Sequence, residues 1–288
     1  MASTPGPGRS THLPDFVGIG ALKAGTSYLD AMLRGHPQTC MPAAVTEVEF
    51  FSRHHERGPA WYEAQFCRCG APVRGEVSPQ YLFDEACPER IADLLPHARL
   101  ILSVRDPVLR AYSQYKHWVQ EMAFTGSFED YLCEHPGAVE RGMYFRLLSR
   151  YLRRFGREQL LVVVFEDMVT HPRQVLAQVY AFVGVDPAFV PADVDAPVNR
   201  SGVPRFHRAY VRSKEVSRWM QDRGGGKLVA VAKRSGVGRR LQTTSPGPAS
   251  FAPLPPSAAS DLALTYADDV ASLSDFLGRD LSTVWSAA

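Results

Sequence analysis

The residues able to do chemistry in this chain gather in two short segments. Each is an apolar run that ends in a turn and passes into a helical pattern. The first is Phe16-Val17-Gly18-Ile19-Gly20-Ala21-Leu22-Lys23-Ala24-Gly25-Thr26-Ser27. Phe16–Gly20 reads as a buried parallel strand. Glycines then allow a close turn, and Thr26 or Ser27 opens a helix carrying Leu29 and Leu33 on its apolar side. The free amides and dipole of a helix N-terminus form an anion site. Lys23 adds a mobile positive charge, and Thr26 and Ser27 add hydroxyl donors. Lys23 precedes the second glycine, so the spacing is not that of a Walker A loop, which counts against ordinary ATP or GTP hydrolysis. The structural alternative is a glycine-bearing turn with a solvated lysine.

The second segment, Leu100-Ile101-Leu102-Ser103-Val104-Arg105-Asp106-Pro107, continues into Arg110-Ala111-Tyr112-Ser113 and has the same build. Leu100 to Val104 reads as a strand, and Pro107 suits the first position of a helix. Arg105 stands at the strand end and Ser113 lies two turns along the helix. Together they offer a rigid fork of donors and a hydroxyl to a phosphate. An Arg105–Asp106 pair that merely ties the junction is the alternative. Two such loops suit a nucleotide with phosphate at both ends of its ribose.

Lys23-Ala24-Gly25-Thr26-Ser27 resembles the 5′-phosphosulfate loop of sulfotransferases that use PAPS (3′-phosphoadenylyl sulfate). Arg105-Asp106-Pro107 with Arg110-Ala111-Tyr112-Ser113-Gln114-Tyr115 resembles their 3′-phosphate motif. The branch it is similar to is the bacterial group related to the heparan sulfate (Golgi-type) sulfotransferases, over about Pro14 to Trp285. The resemblance implies PAPS as sulfuryl donor, PAP as product and no metal. It implies that Lys23, Ala24, Gly25, Thr26 and Ser27 hold the 5′ end, with Lys23 also easing charge on the leaving oxygen. Arg105 and Ser113 would hold the 3′-phosphate.

Thr46-Glu47-Val48-Glu49-Phe50-Phe51 resembles the Lys-Glu-x-x-Phe-Phe segment of that branch, whose glutamate is the proposed base. Glu47 would then take the acceptor's proton, with its pKa raised by partial burial among Val48, Phe50 and Phe51. A surface carboxylate on a short helix is the alternative, and Glu49 would face elsewhere on such a helix. Thr46 replaces the family lysine. In Gly75-Glu76-Val77-Ser78-Pro79-Gln80-Tyr81, similar to a Gly-Glu-Lys-(Ser/Thr)-Pro-x-Tyr segment, Val77 replaces another. Both replacements remove charge from the expected acceptor cleft, favouring a neutral small molecule or glycolipid over a highly sulfated polysaccharide. Trp61-Tyr62 matches an acceptor-side position, where aromatic rings stack on a sugar or simply pack. Arg141-Gly142-Met143-Tyr144, Gln159 to Asp167 and Asn199 to Arg205 match later family positions, the second as scaffold. His54-His55 and His117 stand outside the family's motifs and read as surface histidines. Cys67-Arg68-Cys69 is no CxxC pair and completes no zinc site.

The 288 residues suffice for a sizeable core, and 45% hydrophobic with 22% charged residues is ordinary globular composition. A net charge of +2 is far from that of a general nucleic-acid binder. Five irregularly spaced cysteines argue against a disulfide framework and for a reducing, cytoplasmic home. Residues 1–13 read as a loose tail without a signal-peptide core, and no apolar stretch reaches the length of a membrane span. Residues 14–288 are expected to form a single sulfotransferase domain.

Strands near 15–20, 99–104 and 160–165 alternate with helical patterns near 27–35, 86–95, 107–122, 142–155 and 173–183. The alternation predicts an α/β fold: a P-loop-like parallel sheet of about four to five strands with helices on both faces. Ligands then belong at the carboxyl ends of the strands, where both loops fall. Residues 205–241 are basic and read as a solvated face, or as a lid over the nucleotide or a surface for acidic lipid. Arg239 and Arg240 are its candidates for closing over the nucleotide, by resemblance to a basic family loop. Thr243 to Ser257, with five prolines, reads as a loop. Ala258 to Leu277 reads as an amphipathic helix packed on the core.

The expected function is sulfuryl transfer from PAPS to a hydroxyl (or an amine) of a small-molecule, glycolipid or carbohydrate acceptor. The alternatives are a P-loop-type nucleotide kinase and a catalytically impaired nucleotide-binding homologue. A kinase needs a Ser or Thr directly after the lysine and a Walker-B aspartate; loop one has no Lys-Ser or Lys-Thr pair, and the second strand ends in Arg105 rather than in an apolar-Asp pair. Acceptor identity and oligomeric state are not encoded legibly.

Overall fold

The computed structural model describes residues 13–66, 70–122, 124–195, 251 and 253–285. They divide into two compact units. The first holds the described residues up to Val104 and from Arg146 to Asp195; the second holds Arg105–Phe145 and the described residues from Phe251 onward.

The first unit is built on a five-stranded parallel sheet of order β2-β3-β1-β4-β5, with β1 Phe16–Gly20, β2 Thr39–Cys40, β3 Val73–Val77, β4 Arg99–Val104 and β5 Leu160–Val164. Every pairing is parallel. β1 lies between β3 (Phe16 opposite Gly75) and β4 (Val17 opposite Leu100). The chain visits β2 and β3 on one side of β1 before crossing to β4, so β1 and β4 flank the point where the winding direction changes. In such sheets the carboxyl ends beside that point form the ligand crevice.

On one face Phe16, Val77, Ile101 and Val163 pack against Leu29, Met32 and Leu33 of α1 (Thr26–Gly35) and Val175, Leu176 and Val179 of α9 (Pro172–Val183). The alternate strand residues Val17, Ile19, Leu100, Leu102 and Val104 are fully buried as well. Burial of both parities explains the nearly continuous apolar runs of β1, β4 and β5 and requires cover on both faces. A Cβ on Gly75 would lie 2.1 Å from the Phe16 ring, so the ring crosses β3 only because residue 75 is glycine. The remaining helices of this unit are α2 (Gly58–Glu63), α3 (Cys87–Leu94) and α8 (Phe165–Thr170).

The second unit contains α4 (Pro107–Glu121), α5 (Phe128–Glu134), α6 (Gly137–Glu140), the start of α7 (Tyr144–Leu152) and α10 (Pro256–Leu277). Its core joins Val108 and Ala111 to Phe128, Tyr131, Ala138, Leu262 and Tyr266. Helix α10 packs with Leu262, Tyr266 and Leu273 buried, as its spacing predicts, and begins at Pro256 inside the stretch expected as loop. The expected strands at 15–20, 99–104 and 160–165 are all present, and β2 and β3 are additional. Residues 1–12, Cys67-Arg68-Cys69, the Asn199–Arg205 segment, the basic stretch 205–241 and its Arg239 and Arg240 lie outside the described residues.

Candidate active site

Loop one runs from the end of β1 to the start of α1. Lys23 has φ 68° and Gly25 has φ 87°, so the chain enters the left-handed region twice within three residues. Lys23 does so despite its side chain, a conformation uncommon for residues other than glycine and found preferentially at functional sites. At Gly25 a side chain is doubly excluded: a Cβ would meet Met168 and Phe165 of α8 at 2.8 Å. The carbonyl of Gly25 accepts from Tyr28 and Leu29, leaving the opening amides of Thr26 and Ser27 at the helix N-terminus. The loop is stitched to the neighbouring strand. Ala21 N–H donates to the Ser103 carbonyl at 2.7 Å, and the buried Ser103 hydroxyl donates to the Ala24 carbonyl. Lys23 is half-buried, Thr26 buried and Ser27 exposed. Strand-end winding, an amide-bearing helix start, one cation and two hydroxyls are the donor set of an anion site.

The second segment separates the roles of its two charges. Asp106 is the N-cap of α4, its carboxylate accepting from Val108 N–H at 2.8 Å and Leu109 N–H at 3.1 Å, with Pro107 at the first helical position. Arg105 precedes the cap, half-buried, its carbonyl accepting from the Tyr144 hydroxyl at 2.8 Å. Ser113, also half-buried, lies two turns into α4. Arg110 is fully buried and bonds the Gln114 side chain at 2.6 Å and the Ala138 carbonyl, so it supports the helix from inside. Lys116, one turn beyond Ser113, was not singled out in the sequence. Its ammonium stands 5.0 Å from the Tyr112 ring centre. Burial, then the nearby Arg105 guanidinium, lowers its pKa. Two cations held close in partly desolvated surroundings give this unit a second anion-attracting locus. The i, i+3 spacing from Ser113 is the only sequence signal for Lys116, and it is weak.

Glu47 differs from expectation. It lies in an irregular stretch and is exposed, while Val48, Phe50 and Phe51 are turned into the core at 2%, 1% and 0% exposure. The apolar neighbours therefore do not enclose this carboxylate; the helical turn, one of π type, begins only at Phe50. The buried acid of the neighbourhood is Glu76 in β3, at 0% exposure. It accepts from the hydroxyls of Tyr62 at 2.6 Å, Ser78 at 2.7 Å and Tyr81 at 2.9 Å, and from Val48 N–H. Burial pushes its pKa up against the pull of these four donors. Sequence reasoning quoted the segment containing Glu76 without giving the residue a role.

Val77 also departs from expectation. It is 4% exposed and packs over Gly18 within the hydrophobic core, so it does not face an acceptor cleft, and its charge argument falls. Thr46 is exposed. Trp61 is half-buried and stacked on Phe50, with the Arg57 guanidinium 5.0 Å above it; Tyr62 is core. His54 packs on Trp61, and His55 and His117 are exposed. Among the described residues no group of three or more His, Cys, Asp or Glu is placed to hold a metal ion, and no helix is long and apolar enough to cross a membrane.

A parallel sheet whose central strand turns directly into a helix, with helices on both faces, defines a P-loop-like α/β architecture. Residues 13–201 match the sulfotransferase domain family, and the chain belongs to that family. It is 31% identical over 186 residues to human heparan sulfate glucosamine 3-O-sulfotransferase 3B1, covering 61% of this chain and 47% of that protein. It is 33% identical over 189 residues to human heparan sulfate glucosamine 3-O-sulfotransferase 6, covering 62% and 54%. The chain thus spans about half the length of these curated relatives. Among solved structures it is similar to a sulfotransferase from Alicyclobacillus acidocaldarius, with a TM-score of 0.68, 26% identity and coverage of 95% of this chain and 99% of that one.

Proposed function

We propose that the protein transfers the sulfuryl group of PAPS to a hydroxyl of a small-molecule, glycolipid or carbohydrate acceptor. Membership of a sulfotransferase family supports the reaction class. The observation that carries the reading for this chain is loop one: Lys23 and Gly25 both at positive φ, tied to Ser103 and opening into the amides of α1. In this reading Lys23, Ala24, Gly25, Thr26 and Ser27 hold the 5′-phosphosulfate, and Arg105 and Ser113 take the 3′-phosphate that distinguishes PAPS from ATP. Arg239 and Arg240 remain candidates for closing over the nucleotide. The acceptor oxygen attacks sulfur in line, the bond from sulfur to the 5′-phosphate oxygen breaks, and PAP leaves. Glu47 receives the acceptor's proton, and Lys23 offsets the charge growing on the leaving oxygen. Positioning and electrostatics supply most of the catalysis, as in phosphoryl transfer, and the mechanism proposed requires no metal.

Thr46 in place of a family lysine favours a neutral acceptor over a heavily sulfated chain. A cytoplasmic setting is in line with five irregularly spaced cysteines, which suggest no disulfide framework. The test is a Glu47→Gln variant assayed for PAP release from PAPS with glucosides, a glycolipid and a phenol as acceptors. The expected result is unchanged PAP binding with transfer reduced about 100-fold or more. Transfer near the parent rate would remove Glu47 from the mechanism.

A further inference from the structure

Glu47 lies between two sets of tethers. On its N-terminal side Arg34 of α1 donates to the carbonyls of Pro42, Val45 (3.1 Å) and Thr46 (3.4 Å), and is itself held by Asp30 at 2.6 Å. On its C-terminal side the backbone runs to Glu76. Val48 N–H donates to the Glu76 carboxylate directly. A hydroxyl that donates to a carboxylate keeps its lone pairs for other donors. Two hydroxyls around Glu76 use them on this segment: Ser78 Oγ accepts from Glu49 N–H at 3.1 Å, and Tyr81 OH accepts from Phe51 N–H at 3.5 Å.

Three amides between residues 48 and 51 therefore reach one buried charge, either directly or through a single hydroxyl. Burying an acid this deeply is costly unless its hydrogen bonds are complete, and here each of its partners is a donor. An apolar residue at position 76 would fill the site more cheaply, but it could not fix the direction in which the hydroxyls of Ser78 and Tyr81 point.

We propose that Glu76 is a positioning residue for Glu47. By orienting the Ser78 and Tyr81 hydroxyls and binding Val48 N–H, it fixes the backbone from which the Glu47 carboxylate projects. The proposal rests on Glu47 acting as the base. Without Glu76 the 45–49 stretch has no secondary structure to hold it from the β3 side, and an exposed base on a loose stretch loses its alignment. Misplacement by about 1 Å costs on the order of 100-fold in rate.

The test compares the parent with Glu76→Gln and with Ser78→Ala, which removes only the Glu49 tether. Two readouts are needed: backbone amide exchange, and PAP release from PAPS with water as the acceptor, which needs no identified acceptor. The expected result for Glu76→Gln is a kcat about 100-fold lower with KM for PAPS and Kd for PAP unchanged. Exchange should quicken at Val48, Glu49 and Phe51 while the amides of β1 and α1 keep their protection. Ser78→Ala should show the same pattern more weakly, and Glu76→Gln should add nothing in a Glu47→Gln background. Unchanged exchange at the three amides, an unchanged kcat, or loss of PAP binding together with kcat would overturn the proposal. A Glu47→Gln protein that releases PAP at the parent rate sinks the base assignment alone. The exchange data then still decide whether Glu76 orders the segment.

Discussion

Lys23 and Gly25 occupy the same left-handed region for different reasons. Gly25 meets α8 so closely that no side chain fits, and its φ of 87° is one an L-residue avoids. Gly25→Ala should therefore lower stability by about 2 kcal/mol or more, read as a depressed Tm, because backbone strain and overpacking act together. Lys23 accepts the strain with a side chain in place, which fits a residue whose charge is needed at that spot. Lys23→Ala should reduce sulfuryl transfer about 100-fold or more while leaving Tm near the parent value. Both residues were legible in the sequence because their neighbours in the site are their neighbours in the chain. Glu76 was not. Its donors come from residues 48, 62, 78 and 81, brought together only by folding, and a glutamate at a strand end carries no local sign of burial.

At the scale of elements, the strands that could be read are those with an apolar run. β1, β4 and β5 are nearly continuous apolar runs. β3 is Val73-Arg74-Gly75-Glu76-Val77 and β2 only Thr39–Cys40, and neither shows such a run. The Gly75 that interrupts β3 is required by the Phe16 ring lying across it. The same strand explains the misreading of Val77. Strand alternation sends its side chain to the core face, opposite in sense to Glu76, whereas the resemblance gave it a place in a cleft. Helix α4 starts as its sequence indicates, with Asp106 capping and Pro107 following. Asp106→Ala should cost about 1 kcal/mol in thermal or denaturant unfolding through loss of the two capping bonds. If stability is unchanged, the cap is redundant.

For the whole molecule, Glu76 also predicts a pH signature. Its folded pKa lies above the ordinary value of 4.5, because burial outweighs its donors. Relative to the unfolded chain, the fold thus holds the Glu76 proton more tightly. That share of stability is complete below 4.5 and is lost as pH rises through the raised folded value. The Tm difference between the parent and Glu76→Gln should accordingly shrink as pH rises through that window. Asp30, raised in the same direction by burial, is common to both proteins and cancels. A difference that stays constant with pH would mean that Glu76 titrates as it does in the unfolded chain.

Membership of the sulfotransferase domain family was legible from the two loops; the acceptor was not, since acceptor surfaces are assembled from irregular segments whose shape no local sequence pattern specifies. The central claim is recognition of a nucleotide bearing phosphate at both ends of its ribose. The most direct measurement is calorimetric titration with PAP, using 5′-AMP and ATP as comparisons, on the parent and on Arg105→Ala. The account predicts tight binding of PAP, weak binding of 5′-AMP, and loss of that preference in Arg105→Ala. Equal or tighter binding of ATP by the parent would contradict it.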